Sequence, residues 1–202
     1  MSTKAVPSAT VPATNHNQIA WIALTLTPGL GPTRSRRLVE HFGGAEAVLN
    51  ASLTELEAAG LPVAAAQSLG TGKSIELAHE EIAKADTAGV HLISLDDPSY
   101  PPRLRQIYDP PLVLYVRGNV EALARHGIAV IGTRHPTPYG IGMSERLACD
   151  LATRGLVIFS GLARGVDTAA HRGAVSAKGK TIAVFGTGVD VLYPKENSRL
   201  AE

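Results

Sequence analysis

Apolar residues recur at two different periods along the chain, and the change falls near residue 90. Over residues 18–88 the spacing is helical. Ile19, Ile22, Ala23 and Leu26 fall on one face before Pro28-Gly29 ends the run. A second helix is expected over Pro32–His41, with Leu38 on its inner face and Phe42-Gly43-Gly44 closing it. Further short helices are expected over Ala45–Leu49, Thr54–Ala59 with Ser52 as its cap, Val63–Leu69 and Glu76–Ala88.

From Val90 the apolar runs become short. His91–Leu95 and Leu112–Val116 read as strands, joined by the Pro-rich Asp97–Pro102 and a short helix near Arg103–Ile107. Three βα units follow: Ile128–Ile131 with a helix over Ile141–Arg154, Leu156–Phe159 with one over Val166–Ala177, and Thr181–Phe185 with one starting near Glu196. Short apolar strands alternating with helices predict an α/β fold whose parallel sheet is covered on both faces. Such sheets usually hold about five or more strands, so the chain reads as part of a longer protein, a compact small-sheet domain being the alternative.

Each βα unit leaves its strand through glycine: Gly132-Thr133-Arg134, then Ser160-Gly161-Leu162-Ala163-Arg164-Gly165, then Gly186-Thr187-Gly188. Loops at the carboxyl ends of parallel strands are where open α/β sheets take ligands. Glycine lets backbone N–H groups close on an anion, and the following helix N-terminus adds unpaired donors and positive potential. Arg134 and Arg164 add charged forks. The combination predicts phosphate binding.

Other chemistries fit less well. The dinucleotide pattern G-x-G-x-x-G fails, since no glycine follows Gly132 until Gly140, and no carboxylate ends the second strand. Thr71-Gly72-Lys73-Ser74 resembles the end of a P-loop, but Gln67 stands where the first glycine belongs. Asp167 and His171 share a helix face without companions for a metal, and read as a cap and a locally bonded histidine rather than an acid–base pair. Ser160 lacks the G-x-S-x-G elbow of a hydrolase nucleophile. Neither a catalytic residue, nor a metal, nor a cofactor is predicted. Leu26-Thr27-Pro28-Gly29-Leu30-Gly31-Pro32 with Arg34, Arg36 and Arg37 looks like a helix-hairpin-helix, which presents backbone N–H groups to DNA phosphate; a plain helical turn for protein contacts is the equal alternative.

Composition narrows this further. With 45% hydrophobic and 18% charged residues in 202, the chain can bury a core. No apolar run approaches the ~20 residues of a membrane helix. One cysteine, Cys149, fits a reducing compartment, and residues 1–17 read as a disordered tail without a signal core. A soluble, cytoplasmic protein is expected. Net charge is only +1, but residues 103–178 carry ten basic side chains, nine of them Arg, against five acidic ones. Arg matches phosphate geometry, so a nucleotide or anionic polymer becomes the favoured partner, with a solvated basic surface as the plain alternative.

Several of these residues occur together in one known family. Tyr100-Pro101 through Asp109-Pro110-Pro111 to Gly118, Gly132-Thr133-Arg134 with Tyr139-Gly140, Ser160 to Asp167 with Ala170-His171, and Gly186 to Asp190 with Tyr193-Pro194 and Asn197 resemble the DNA-processing DprA (Smf) family over residues 20–200. The resemblance implies a small all-α, SAM-like domain over 18–88 and the first part of a Rossmann-like core over 90–202. It further implies binding of single-stranded DNA, homodimerisation, and loading of the RecA recombinase during natural transformation against single-strand-binding protein. Carried over, the nucleic-acid-binding residues are Gly132, Thr133, Arg134, Ser160, Gly161, Arg164, Gly165, Gly186, Thr187 and Gly188. The family core continues with a basic Arg-Asn-Arg segment, further strands and often a winged helix, which residues 1–202 do not contain.

Two rivals belong to other classes. LOG-type phosphoribohydrolases have a related fold and release a base from a nucleoside monophosphate, but their Pro-Gly-Gly-x-Gly-Thr loop is not found in residues 1–202. A protein-interaction module built on the helical domain predicts no nucleic-acid affinity.

Overall fold

The computed structural model describes residues 16–201. Of the tail expected over residues 1–17, positions 1–15 lie outside the described residues, while His16 and Asn17 open the first helix. The chain divides into two compact units, Met1–Glu80 and Glu81–Glu202.

The first unit is built from α1 (His16–Leu26), α2 (Pro32–Phe42), α3 (Ala45–Asn50), α4 (Leu53–Ala58), α5 (Val63–Gly70) and the opening turns of α6 (Lys73–Thr87). None of these helices is long enough to be stable alone, so packing must hold them. Helix α3 packs on α1, α2 and α5, and α4 on α5. The core they share contains Trp21, Ile22, Leu24, Leu38, Val48, Leu56 and Leu69, all buried. Ser52 caps α4 in a reciprocal box with Glu55, as its spacing predicts. Inside the core, Thr27 Oγ1 donates to the Ala23 carbonyl at 2.7 Å, and Ser74 Oγ pairs with both Thr27 and Ser68 at 2.9 Å. These hydroxyls satisfy one another, which is the condition for burying them. In the α1–α2 hairpin, Gly29 has φ +74° and Arg34 Nη1 donates back to its carbonyl at 3.1 Å. One of the three arginines of that motif therefore helps close the turn.

The second unit starts with an antiparallel pair, β1 (His91–Ser94) and β2 (Val113–Val116), separated by the short α7 (Pro102–Arg105). Tyr100 is fully buried between them in sequence, its hydroxyl donating to the Pro111 carbonyl at 2.9 Å. Burial, with Glu81 alongside, pushes the Tyr115 hydroxyl up to about 12.

Then come β3 (Gly127–Ala129), α8 (Pro138–Thr153), β4 (Val157–Ser160), α9 (Val166–Ser176) and β5 (Thr181–Ala183). A 3-10 turn over Lys195–Asn197 runs into α10 (Ser198–Ala201). Strands β3, β4 and β5 are parallel and adjacent in chain order. Right-handed crossovers in that order put α8 and α9 on one face, and they pack on each other. Cover on both faces, expected from the sequence, is thus not reached among the described residues, where Ile131 and Val184 are 73% and 63% exposed. Strands β3 and β5 are also shorter than expected, although Val130 N and Val184 N just beyond them still donate to the Phe159 and Ser160 carbonyls at 2.9 and 2.8 Å.

The core between sheet and helices is made of small side chains: Val130, Ala148, Ala152, Ile158, Ala170 and Ala174. Small residues let the helices approach closely, and the limit is Gly173 of α9. A Cβ there would meet the Glu145 carbonyl and Ala148 of α8. Gly173→Ala is expected to cost about 1–3 kcal/mol or more of stability by overpacking. Gly186→Ala, whose Cβ meets nothing within 4 Å, should stay within about 0.5 kcal/mol. Urea unfolding of both variants beside the parent checks the contrast.

Candidate nucleic-acid interface

The parallel strands bring three glycine loops to one edge of the sheet. The first loop leaves β3 with Gly132, Thr133, Arg134 and His135, all exposed, and enters α8 through Thr137, whose Oγ1 accepts from Gly140 N at 3.2 Å. The second leaves β4 and enters α9 at Val166. The third leaves β5, whose continuation is pinned by Val184 N donating to the Ser160 carbonyl at 2.8 Å.

The first two loops interlock. Val166 N donates to the Thr133 carbonyl at 3.2 Å. Gly165 sits against the same backbone at φ +82° and ψ −125°, and a Cβ there would strike Thr133 O, Arg134 C and Pro136. Only glycine fits that position. The second loop is also braced from below. Asp167, buried on α9, accepts from Gly161 N through Oδ2 at 3.1 Å rather than capping its own helix. Leu162, buried with φ +55°, gives its carbonyl to Asn197 Nδ2 at 2.9 Å. The same nitrogen donates to Thr168 Oγ1 at 2.8 Å, and Thr168 Oγ1 donates to the Ala163 carbonyl at 2.6 Å.

The ten residues predicted to bind nucleic acid separate on this geometry. Gly132, Thr133, Arg134, Gly186, Thr187 and Gly188 are exposed along the edge, and Gly161 and Gly165 are half-buried in the second loop. Thr133 Oγ1 accepts from His135 N at 3.1 Å, so its own hydroxyl proton is still to give. Thr187 has spent its proton on the Val191 carbonyl at 2.8 Å. Ser160 must be removed from the set of ligand contacts. Its side chain is 3% exposed and donates to the Val130 carbonyl at 2.7 Å, so it ties β4 to β3 instead of facing outward. Arg164 is present at the edge, but its fork is closed on Glu196, Nε to Oε1 at 2.6 Å and Nη2 to Oε2 at 2.9 Å. Asn197, Thr168 and Glu196 carry no local sequence signal for these roles, because each acts on a partner that is distant in sequence or is backbone.

His171 is buried beneath the loops, 2% exposed. Thr181 Oγ1 donates to the Ile158 carbonyl at 2.8 Å, so at 2.7 Å it must accept from His171 Nδ1–H. The remaining nitrogen, Nε2, is buried without a partner. Burial pulls the His171 pKa below its ordinary 6.5, against a smaller upward pull from the Asp167 charge. An imidazole so enclosed cannot reach a proton on a ligand at the loops. Among the described residues no group of three or more His, Cys, Asp or Glu could hold a metal ion.

Comparison with known proteins places this arrangement. Residues 91–202 match the family described as DNA recombination-mediator protein A. The chain belongs to that DprA/Smf family. It is 32% identical over 195 residues to the protein Smf of Synechocystis, covering 93% of this chain and 48% of that one. Against the DNA processing protein DprA of Streptococcus pneumoniae the identity is 47% over 109 residues, covering 54% of this chain and 38% of the relative. The X-ray structure of DprA from Streptococcus pneumoniae superposes with a TM-score of 0.71 at 30% identity, over 93% of this chain and 63% of that one. The chain spans about half the length, or less, of the curated relatives it matches.

The state of His171 makes stability depend on pH. Below about 6.5 the unfolded chain binds a proton at His171 that the folded chain refuses, so stability falls as pH drops. Urea unfolding at pH 7.5 and 5.5 should therefore show a smaller loss for His171→Gln than for the parent. Equal losses would mean that His171 ionises freely in the folded state.

Proposed function

We propose that the loop cluster binds the phosphates of single-stranded DNA, and that the protein serves as a recombination mediator that loads RecA during natural transformation. One observation carries the reading. Three strand-end loops come to one edge, two of them locked together through Gly165, with Gly132, Thr133 and Arg134 exposed on the first and Gly186 and Gly188 on the third. Backbone N–H groups and one charged fork suit a phosphodiester, and positioning on phosphates needs no base-edge readout. Membership of the DprA/Smf family supports the same reading, as does the name DNA processing protein borne by its relatives. RecA, single-strand-binding protein and a second copy of the chain enter as partners through that family likeness.

The role is binding rather than turnover. Asp167 is committed to Gly161 of the second loop and buried His171 to Thr181 of β5, so a His171→Ala variant that folds should keep single-stranded binding within a few-fold of the parent. Release of a base from nucleoside monophosphates by the parent, abolished in that variant, would instead make the protein an enzyme.

Arg134→Ala is the direct test. Fluorescence anisotropy with a single-stranded oligonucleotide should show binding weakened by about 1.5–3 kcal/mol, the range of hydrogen bonds to charged groups. The slope of log affinity against log salt should flatten by about 0.7, one phosphate contact fewer on a single strand. Unchanged affinity and slope in a folded variant would overturn the assignment.

A further inference from the structure

Arg164 and Glu196 form a two-pronged pair at the tip of the second loop, with both carboxylate oxygens engaged at 2.6 and 2.9 Å. Parallel N–H···O bonds to two oxygens of one anion are also how arginine holds a phosphate. The pair lies in solvent, its side chains 56% and 53% exposed, where ion pairs shift an equilibrium by about five-fold or less. It is therefore closed but weakly closed.

The carboxylate is delivered to that place by its neighbour. Asn197 is 3% exposed and donates to the Leu162 carbonyl and to Thr168 Oγ1, clamping the 3-10 turn Lys195–Asn197 against the second loop. With Asn197 fixed, Glu196 next to it faces the guanidinium. Each member of the pair holds the other in its charged form, Arg164 raised and Glu196 lowered from their ordinary values.

We propose that Glu196 stands in for a phosphate on the Arg164 fork and thereby holds down the affinity of the loop cluster for single-stranded nucleic acid. The proposal rests on the reading of these loops as a phosphate-binding edge. A strand reaching Arg164 must evict Glu196 and then lie beside the freed carboxylate, so Arg164 adds little to binding while Glu196 is charged. Removing the charge and keeping the shape releases the fork.

Salt-dependent anisotropy with a fluorescein-labelled oligothymidylate tests this on the whole chain. Glu196→Gln should bind about two- to five-fold tighter than the parent at low salt, the range open to an exposed pair. Its salt slope should steepen by about 0.7, one further phosphate neutralised. The double variant Arg164→Ala with Glu196→Gln should return to the parent's affinity and slope. Glu57→Gln, the same charge change on the helical unit, should leave both unchanged. Glu196→Ala repeats the experiment should the Gln variant lose its cooperative unfolding. Parent-like binding by folded Glu196→Gln, with Arg134→Ala still weakened, overturns the stand-in role alone. Tightening that survives in the double variant, or appears with Glu57→Gln, overturns it too, since net charge would then be the cause. Failure of the parent to bind, or indifference to Arg134→Ala, overturns the functional reading beneath it.

Discussion

The position of Gly165 governs the candidate interface. Its backbone, at φ +82° and ψ −125°, lies flat against the Thr133 carbonyl, and the next residue donates to that same carbonyl at 3.2 Å. A side chain there would push the two loops apart, at a strain cost of about 1–3 kcal/mol before any clash is counted. With the hydrogen at Cα in place, the end of β3 and the start of α9 share one short stretch of backbone. Exposed Arg134 follows directly on the Thr133 carbonyl that Gly165 and Val166 hold. The sheet supplies the direction of the loops, and Gly165 supplies their register.

Beneath that contact the polar groups are used for bracing. Asp167 holds Gly161, Ser160 holds Val130, and Asn197 holds both Leu162 and Thr168. His171 is fixed as a neutral donor to Thr181. Side chains that a sequence reader would weigh as acids, bases or nucleophiles thus spend their hydrogen bonds on the fold. What is exposed along the edge is the backbone of Gly132, Gly186 and Gly188, the Thr133 hydroxyl, the Arg134 guanidinium and His135. That inventory can hold an anion in place, with the imidazole of His135 exposed beside it.

Much of this was legible from the chain, and the reasons are local. The helix and strand runs follow from apolar spacing, Ser52 from its capping pattern, and the three loops from glycine at each strand end. Gly165 is legible as a glycine, but its contact with Thr133 is not, since it depends on how β3 and β4 align. The same is true of Ser160, whose partner Val130 is thirty residues away, and of Asn197, whose partner Leu162 is thirty-five away. Two-sided cover of the sheet was expected from apolar strands. The order β3-β4-β5 puts both crossover helices on one side, and strand order does not show in a hydrophobic pattern.

Charge along the chain misleads for a related reason. Four of the nine arginines between residues 103 and 178 are already engaged. Arg103 donates to His126 at 2.6 Å, Arg105 to the Asp97 carbonyl at 2.8 Å while lying over Tyr100, and Arg154 to the Asp150 carbonyl at 2.7 Å. Arg164 is closed on Glu196. A basic stretch therefore does not translate into an equal number of phosphate contacts. Arg134 differs from Arg164 in its surroundings: both leave a strand end beside glycine, but only Arg164 faces a carboxylate delivered by a buried asparagine. On the proposed reading, the number of phosphates the edge can hold follows from which guanidiniums the fold leaves open, and the carboxylate at position 196 closes one of them.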